Sequence, residues 1–138
     1  MTLQESIKTL DFFKNLDDNQ IELLSDFSHI SKYDKDAILF YETDIKNHLL
    51  FLVNGLIKIY KYDKFDNEIF LYHIYPNSLI SELSSITNSE IYCFSNASFI
   101  EDSIVLSIDF LRFKEHFLDN NILIKELMNS LLNKNHQL

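Results

Sequence analysis

The spacing of apolar positions along this chain changes twice. In the run Asp17-Asp18-Asn19-Gln20-Ile21-Glu22-Leu23-Leu24-Ser25-Asp26-Phe27, Ile21, Leu24 and Phe27 recur every three residues. That period keeps them near one helical face, and Asp17 is placed to cap the helix. Ile7, Leu10 and Phe13 predict another helical turn or two before it. From His29 to about Ile108 the pattern becomes one of short strands. Ile38-Leu39-Phe40-Tyr41 is one, and Glu68-Ile69-Phe70-Leu71-Tyr72-His73-Ile74-Tyr75 is another, ended by Pro76, which cannot donate to a ladder. Phe99-Ile100 and Ser103-Ile104-Val105-Leu106-Ser107-Ile108 close the region. Regular short strands with turn signals between them indicate a sandwich, roll or barrel.

Two further strands flank the only glycine in the chain, Leu49-Leu50-Phe51-Leu52-Val53-Asn54 before Gly55 and Leu56-Ile57-Lys58-Ile59-Tyr60-Lys61-Tyr62 after it. Asn-Gly is the strongest short hairpin signal, because a type I′ turn needs φ > 0 at both central residues. The expectation is therefore a hairpin turning at Asn54 and Gly55. Asp66-Asn67 supplies the next turn. Leu79, Leu83 and Ile86 lie three or four apart and predict a single helical turn inside the β region.

After Asp109, an N-cap residue, a helix is expected over Phe110–Phe117. Asp119-Asn120-Asn121 breaks it, and residues 122–138 form a second helix. There Ile124, Leu127, Leu131 and Leu138 make a seam of alternating three- and four-residue steps, with Lys134 in the remaining slot. The seam, with Met128 beside it, is the expected contact of a homodimer. The other reading is that it packs back on the β region.

Composition narrows the function. A chain of 138 residues, 46% apolar and 14% aromatic, is one domain with a sizeable core. No apolar run reaches the length of a membrane span, and the start, Met1-Thr2-Leu3-Gln4-Glu5-Ser6, has no signal pattern. The single cysteine, Cys93, rules out an internal disulfide framework and fits a reducing cytoplasm. A net charge of −9 argues against these residues gripping DNA or an anionic membrane. The cations are unevenly placed: no Lys or Arg lies between Lys64 and Arg112, where His73 is the one group that can turn positive.

The order of helix, β-roll with a one-turn insertion, and two closing helices resembles the cyclic-nucleotide-binding-like sensor domain of Crp/Fnr-type transcription regulators. Ala37-Ile38-Leu39-Phe40-Tyr41-Glu42-Thr43-Asp44 is similar to the family's xLFxxGD strand and turn. The run Leu50 to Tyr60 is similar to its LYFVLxGxVKVY segment, and Pro76-Asn77-Ser78-Leu79-Ile80-Ser81-Glu82-Leu83 to its PGDxxGEL phosphate-binding turn. Glu101-Asp102-Ser103-Ile104-Val105-Leu106-Ser107-Ile108 resembles the strand before its closing helices. The resemblance implies a mainly β fold with flanking helices, a double-stranded β-helix or jelly roll with a long C-terminal dimerisation helix. It divides the single sensor and dimerisation domain, residues 1–138, into N-terminal helices (1–28), β-roll (29–108) and C-terminal helices (109–138). The DNA-binding domain of such a regulator is not expected in this chain, so DNA would be a partner only of a parent protein; the rival reading is a stand-alone cyclic-nucleotide-binding-like ligand module without DNA binding.

The resemblance also places an effector pocket at Ser81, Glu82, Leu83, Tyr92 and Cys93. Four of the family's glycines are replaced, by Asp36, Thr43, Asn77 and Ser81. The family's nucleotide binders carry an Arg roughly nine or ten residues beyond the Glu-Leu pair, whose guanidinium pairs with the cyclic phosphate. Here that slot falls on Tyr92 or Cys93. An unpaired buried charge costs roughly 3–5 kcal/mol, or about two to four decades of affinity. The cation gap therefore argues against cyclic AMP or cyclic GMP as a tight ligand, unless a cation arrives from the N-terminal half, from Lys58 or Lys61, or from a second subunit.

Other readings use the same residues. A haem would draw on His73 or Cys93, neither in a distinctive spacing; as a polar strand position and a small buried hydrophobe both need no ligand. An iron–sulfur cluster needs about four thiolates. A small apolar effector would be met by Phe70, Tyr72, Tyr75, Tyr92, Phe94 and Phe99, most of which are expected simply to fill the roll. The carboxylate pairs Glu82 with Glu90 and Glu101 with Asp102 lack any nucleophile or ligand spacing, and His29, His48, His73, His116 and His136 are scattered, so no enzyme and no metal site is expected.

Overall fold

The computed structural model describes residues 1–83, 88–117, 119, 120, 123 and 125. Helix α1 (Leu3–Lys8) opens on a capping box between Thr2 and Glu5, and a single 3₁₀ turn spans Asp11–Phe13. Helix α2 (Asp18–Ser25) is capped as its sequence predicts: the Asp17 carboxylate accepts from the Gln20 N–H at 2.8 Å, and the Gln20 side chain accepts from the Asp17 N–H at 2.9 Å. Ten strands come after it, β1 (Ser28–Tyr33), β2 (Ile38–Phe40), β3 (Ile45–Lys46), β4 (His48–Asn54), β5 (Ile57–Tyr62), β6 (Glu68–Ile74), β7 (Ser78–Leu79), β8 (Ile91–Tyr92), β9 (Asn96–Phe99) and β10 (Ser103–Asp109). Helix α3 (Phe110–Phe117) is the last described element, its Arg112 N–H held by the Asp109 carboxylate at 3.0 Å.

Among the described residues all pairings are antiparallel. One sheet has the order β1-β10-β4-β7, a second β2-β9-β5-β6, and β3 pairs with β8 as a small third. The expected jelly roll is thus present. Its core is double. Leu50, Leu52, Val105, Ile57, Ile59, Ala97 and Phe99 meet between the two large sheets. Leu49, Phe51, Leu106 and Ile108, on the opposite face of β4 and β10, meet Ile7, Leu10, Phe13, Leu24 and Phe113 from the helices. This is why β4 reads as an unbroken apolar run: a strand buried on both faces has no polar side to show. Phe51 anchors the helical side, with ring centroids 5.1 Å from Phe12 and 5.2 Å from Phe13.

Three expectations are corrected. First, Asn54 and Gly55 do not turn a hairpin. Strand β4 pairs with β10 and β7 while β5 pairs with β6 and β9, so the turn carries the chain from one sheet to the other. Gly55 has φ +106°, but Asn54 is not among the residues of positive φ, as a type I′ turn would require. Glycine is demanded here by space: an added Cβ would fall 2.7 Å from the Ser103 Cα and into the Ser103 side chain. Second, residues 77–83 do not form a helical turn. Ser78 and Leu79 pair with Leu52 and Phe51, and the Ile80 N–H donates to the Leu50 carbonyl at 2.7 Å. The three- and four-residue spacing arises because Leu79 and Leu83 pack on the helical side and Ile80 between the sheets. Residues 84–87, with Ile86, lie outside the described residues. Third, most of the aromatic side chains expected to fill the roll are on the surface: Phe70, Tyr75, Tyr92 and Phe94 are 40–61% exposed, while Phe99 is buried and stacked on Tyr33.

Leu123 is buried in the helical core. The dimer seam, Ile124, Leu127, Met128 and Leu131, and the long C-terminal helix that would carry it lie outside the described residues.

Three of the replaced glycines keep a glycine's backbone. Asp36, Thr43 and Asn77 have φ of +73°, +78° and +69°. Each donates its N–H to a carbonyl at 2.8 Å, to Phe99, Cys93 and Leu52 respectively. Those bonds hold the left-handed conformation that a side chain resists. Thr43 is the most strained because it is β-branched. Thr43→Gly is expected to stabilise the protein by about 1 kcal/mol, the relief of left-handed strain less the backbone entropy of glycine. Urea unfolding of the variant beside the unaltered chain measures this, and a fall in stability would refute the strain.

Candidate functional site

A cleft opens where the small β3–β8 ladder meets the edge of β4. Phe40, Lys46, Leu50, Ser81, Glu82, Ile91 and Cys93 line it, around about 230 Å³ of space including the part open to solvent. The enclosed part is only about 10 Å³, room for roughly one water molecule. The structure therefore brings together Ser81, Glu82 and Cys93 from the expected pocket. Leu83 turns away into the helical core, and Tyr92 is 40% exposed, its ring edge-to-face with Phe94 at 4.7 Å.

The local chemistry explains each placement. The Ser81 hydroxyl accepts from the Leu50 N–H at 2.9 Å, so it completes the edge of β4. A glycine there would leave that N–H without this partner. Cys93 is clasped to the turn before β3: its N–H donates to the Asp44 carbonyl at 2.9 Å, and its own carbonyl accepts from Thr43 at 2.8 Å. Glu82 is buried, 9% exposed. The Tyr72 hydroxyl lies beside it, and burial first, then that carboxylate, raises the pKa of the phenol.

Burial pushes the Cys93 thiol up to about 11; Lys46 opposes the shift, and Asp44 and Glu82 add to it. The thiol is thus protonated at neutral pH and a poor nucleophile. The linkage has a definite sign. Unfolded chains ionise this thiol near pH 9, the folded protein near 11, so the folded state binds the extra proton between them and stability falls as pH rises through that window. The urea midpoint is expected to drop from pH 9 to pH 11, and to drop less in Cys93→Ala. Identical slopes for the two proteins would contradict the shift.

Sequence reasoning missed Lys46. It is paired with Ile91 across the β3–β8 ladder and lies at the rim of the cleft, its side chain 41% exposed and 4.0 Å from the Asp44 carboxylate. It is the cation from the N-terminal half that the uneven charge distribution left open. The two lysines singled out from the sequence are engaged elsewhere: Lys58 pairs with Glu68 at 2.9 Å and Lys61 with Glu42 at 3.6 Å. Phe40, Leu50 and Ile91 also went unassigned. His73 is exposed on β6 between the rings of Phe70 and Tyr75, and does not line the cleft with Cys93. Among the described residues, no three His, Cys, Asp or Glu side chains are grouped to hold a metal, and no helix is long and apolar enough to cross a membrane.

Residues 30–120 match the family described as the cyclic nucleotide-binding domain, over more than half of the chain. The chain belongs to that family. Its fold is similar to the sensor domain of the transcriptional regulator DNR from Pseudomonas aeruginosa, with a TM-score of 0.77 at 20% identity over 97% of this chain and 89% of that one. It is also similar to the N-terminal domain of a transcriptional regulator from Streptomyces coelicolor A3(2), at a TM-score of 0.70 and 17% identity, over 96% of this chain and 91% of that one. The catabolite activator protein of Thermus thermophilus is matched at a TM-score of 0.74 and 17% identity over 91% of this chain, but over only 58% of its own length. A comparison with curated proteins finds no match. The cleft thus holds Ser81, Glu82 and Cys93, together with one lysine, Lys46.

Proposed function

We propose that this is the effector-sensing and dimerisation domain of a Crp/Fnr-like transcription regulator, and that its effector is not a tightly bound cyclic nucleotide. The observation that carries the second half is the cleft itself. Glu82 is buried in it, the resemblance puts Tyr92 or Cys93 where a phosphate-pairing arginine would stand, and the cation among its lining residues, Lys46, is partly exposed and already beside Asp44. A phosphate monoanion in this space would face a carboxylate with one solvent-screened partner.

The likeness to two regulator domains, each matched over about nine-tenths of its own length, supports the first half. So does the match to 59% of the whole DNR chain, which leaves room for a second domain in a protein of that plan. In this reading the effector biases how two copies pack along the seam of Ile124, Leu127, Met128 and Leu131 across a two-fold axis, and that packing spaces a pair of DNA readers. Light scattering tests the seam. The unaltered chain is expected at the dimer mass and Leu127→Asp at half of it; an unchanged mass rejects the seam as the contact.

A further inference from the structure

The turn that enters the cleft is tied to the N-terminal helices by a reciprocal clasp. The Asn77 side-chain carbonyl accepts from the Asp11 N–H at 2.7 Å, and the Asn77 side-chain NH₂ donates to the Asp11 carboxylate at 2.9 Å. These residues are 66 apart in sequence, and nothing in a local pattern brings them together. Asn77 sits at φ +69° and its own N–H donates to the Leu52 carbonyl at 2.8 Å. One residue is therefore fixed at three points, two on the 3₁₀ turn Asp11–Phe13 and one on β4.

The segment after Asn77 alternates between two environments. Leu79 and Leu83 pack among Ile7, Leu10 and Phe13 of the N-terminal segment. Ser81 and Glu82, between them, line the cleft. The cleft end of this segment is held by two bonds to one residue of β4: the Leu50 N–H donates to the Ser81 hydroxyl, and the Ile80 N–H donates to the Leu50 carbonyl. A shift of Ser81 and Glu82 thus has to move Leu79 and Leu83 against the helices, or break the clasp.

We propose that Asn77 is a positioning residue that couples the cleft to the N-terminal helices, so that whatever displaces Ser81 and Glu82 is transmitted to α1 and the 3₁₀ turn through the Asn77–Asp11 clasp. The proposal rests on the cleft being the effector site. It explains why an asparagine occupies a left-handed position where the family's pattern has glycine. Glycine would fit the backbone better but has no amide to reach Asp11. The coupling is physical and local, two hydrogen bonds and two packed leucines.

Residue-resolved hydrogen exchange on the unliganded protein tests this, so its outcome does not depend on knowing the effector. Asp11→Ala is expected to speed exchange at the Leu50 and Ile80 amides about tenfold, the size of one net hydrogen bond or slightly more. Asn77→Gly is expected to do the same although it relieves the backbone. Asp11→Asn, which keeps an acceptor for the Asn77 NH₂, is expected to restore protection. Both residues are exposed, so these variants leave the cores intact. The proposal is overturned if the change in Asp11→Ala stops at residues 3–13, or if Asn77→Gly protects Leu50 and Ile80 as well as the unaltered chain does. Failure here leaves the cleft's role standing, whereas the loss of that role would show in ligand and mass measurements and leave the exchange result unchanged.

Discussion

Gly55→Ala is expected to cost roughly 2–5 kcal/mol of folding stability, a large share of the roughly 5–15 kcal/mol that holds a domain together. Two terms add. The backbone at φ +106° is one that a side chain resists. The new methyl group would also fall 2.7 Å from the Ser103 Cα, against backbone that cannot rotate away. Ser103 is itself fixed, since its hydroxyl accepts from the Leu56 N–H at 3.3 Å and donates to the Glu101 carbonyl at 2.8 Å. The variant is expected to unfold at a much lower urea midpoint with an unchanged slope, the mark of lost stability without a changed denatured state. Ser103→Ala in the same chain is expected to give no rescue, because Cα and Cβ remain. A loss below about 1 kcal/mol would mean that β4 and β5 can part to admit the methyl, and that the crossing between sheets is looser than its contacts imply.

The same glycine shows how far the sequence could be read. Asn-Gly between two apolar runs signals a hairpin, and the local signal was sound: a special backbone geometry is there. What the local pattern could not carry is that Ser103, far along the chain, fills the space above Gly55 and that the flanking strands belong to different sheets. Helix α2 was legible because its causes are local, a three-residue apolar period and Asp17 as cap. Strand β4 was legible as a strand, but its unbroken run of Leu49 to Leu52 could not say that one face would meet helices and the other a second sheet.

For the site, the resemblance brought Ser81, Glu82 and Cys93 to one cleft and misplaced Leu83 and Tyr92. Likeness to the family's Glu-Leu pair assigns Leu83 to the pocket, yet this residue packs in the helical core while Glu82 lines the cleft. Lys46 was invisible. It lies on a two-residue strand, too short for any period, and reaches the cleft only by pairing with Ile91. The left-handed turns at Asp36, Thr43 and Asn77 were visible only as missing glycines, and the clasp from Asn77 to Asp11 was not visible at all.

The second large effect concerns the ligand for which the family is named. A cyclic phosphate in this cleft lacks a buried guanidinium, and the absence of such a pair costs about two to four decades of affinity. Lys46 recovers only part of that, because a partly exposed ammonium is screened by water and shared with Asp44. Glu82 adds a carboxylate to the same space. Titration calorimetry of the purified chain with cyclic AMP and cyclic GMP puts this to the test most directly. No saturable heat is expected from either nucleotide below millimolar concentration. A one-site isotherm with a micromolar Kd would contradict the account, and its loss in Lys46→Ala would identify the lysine that had been underestimated.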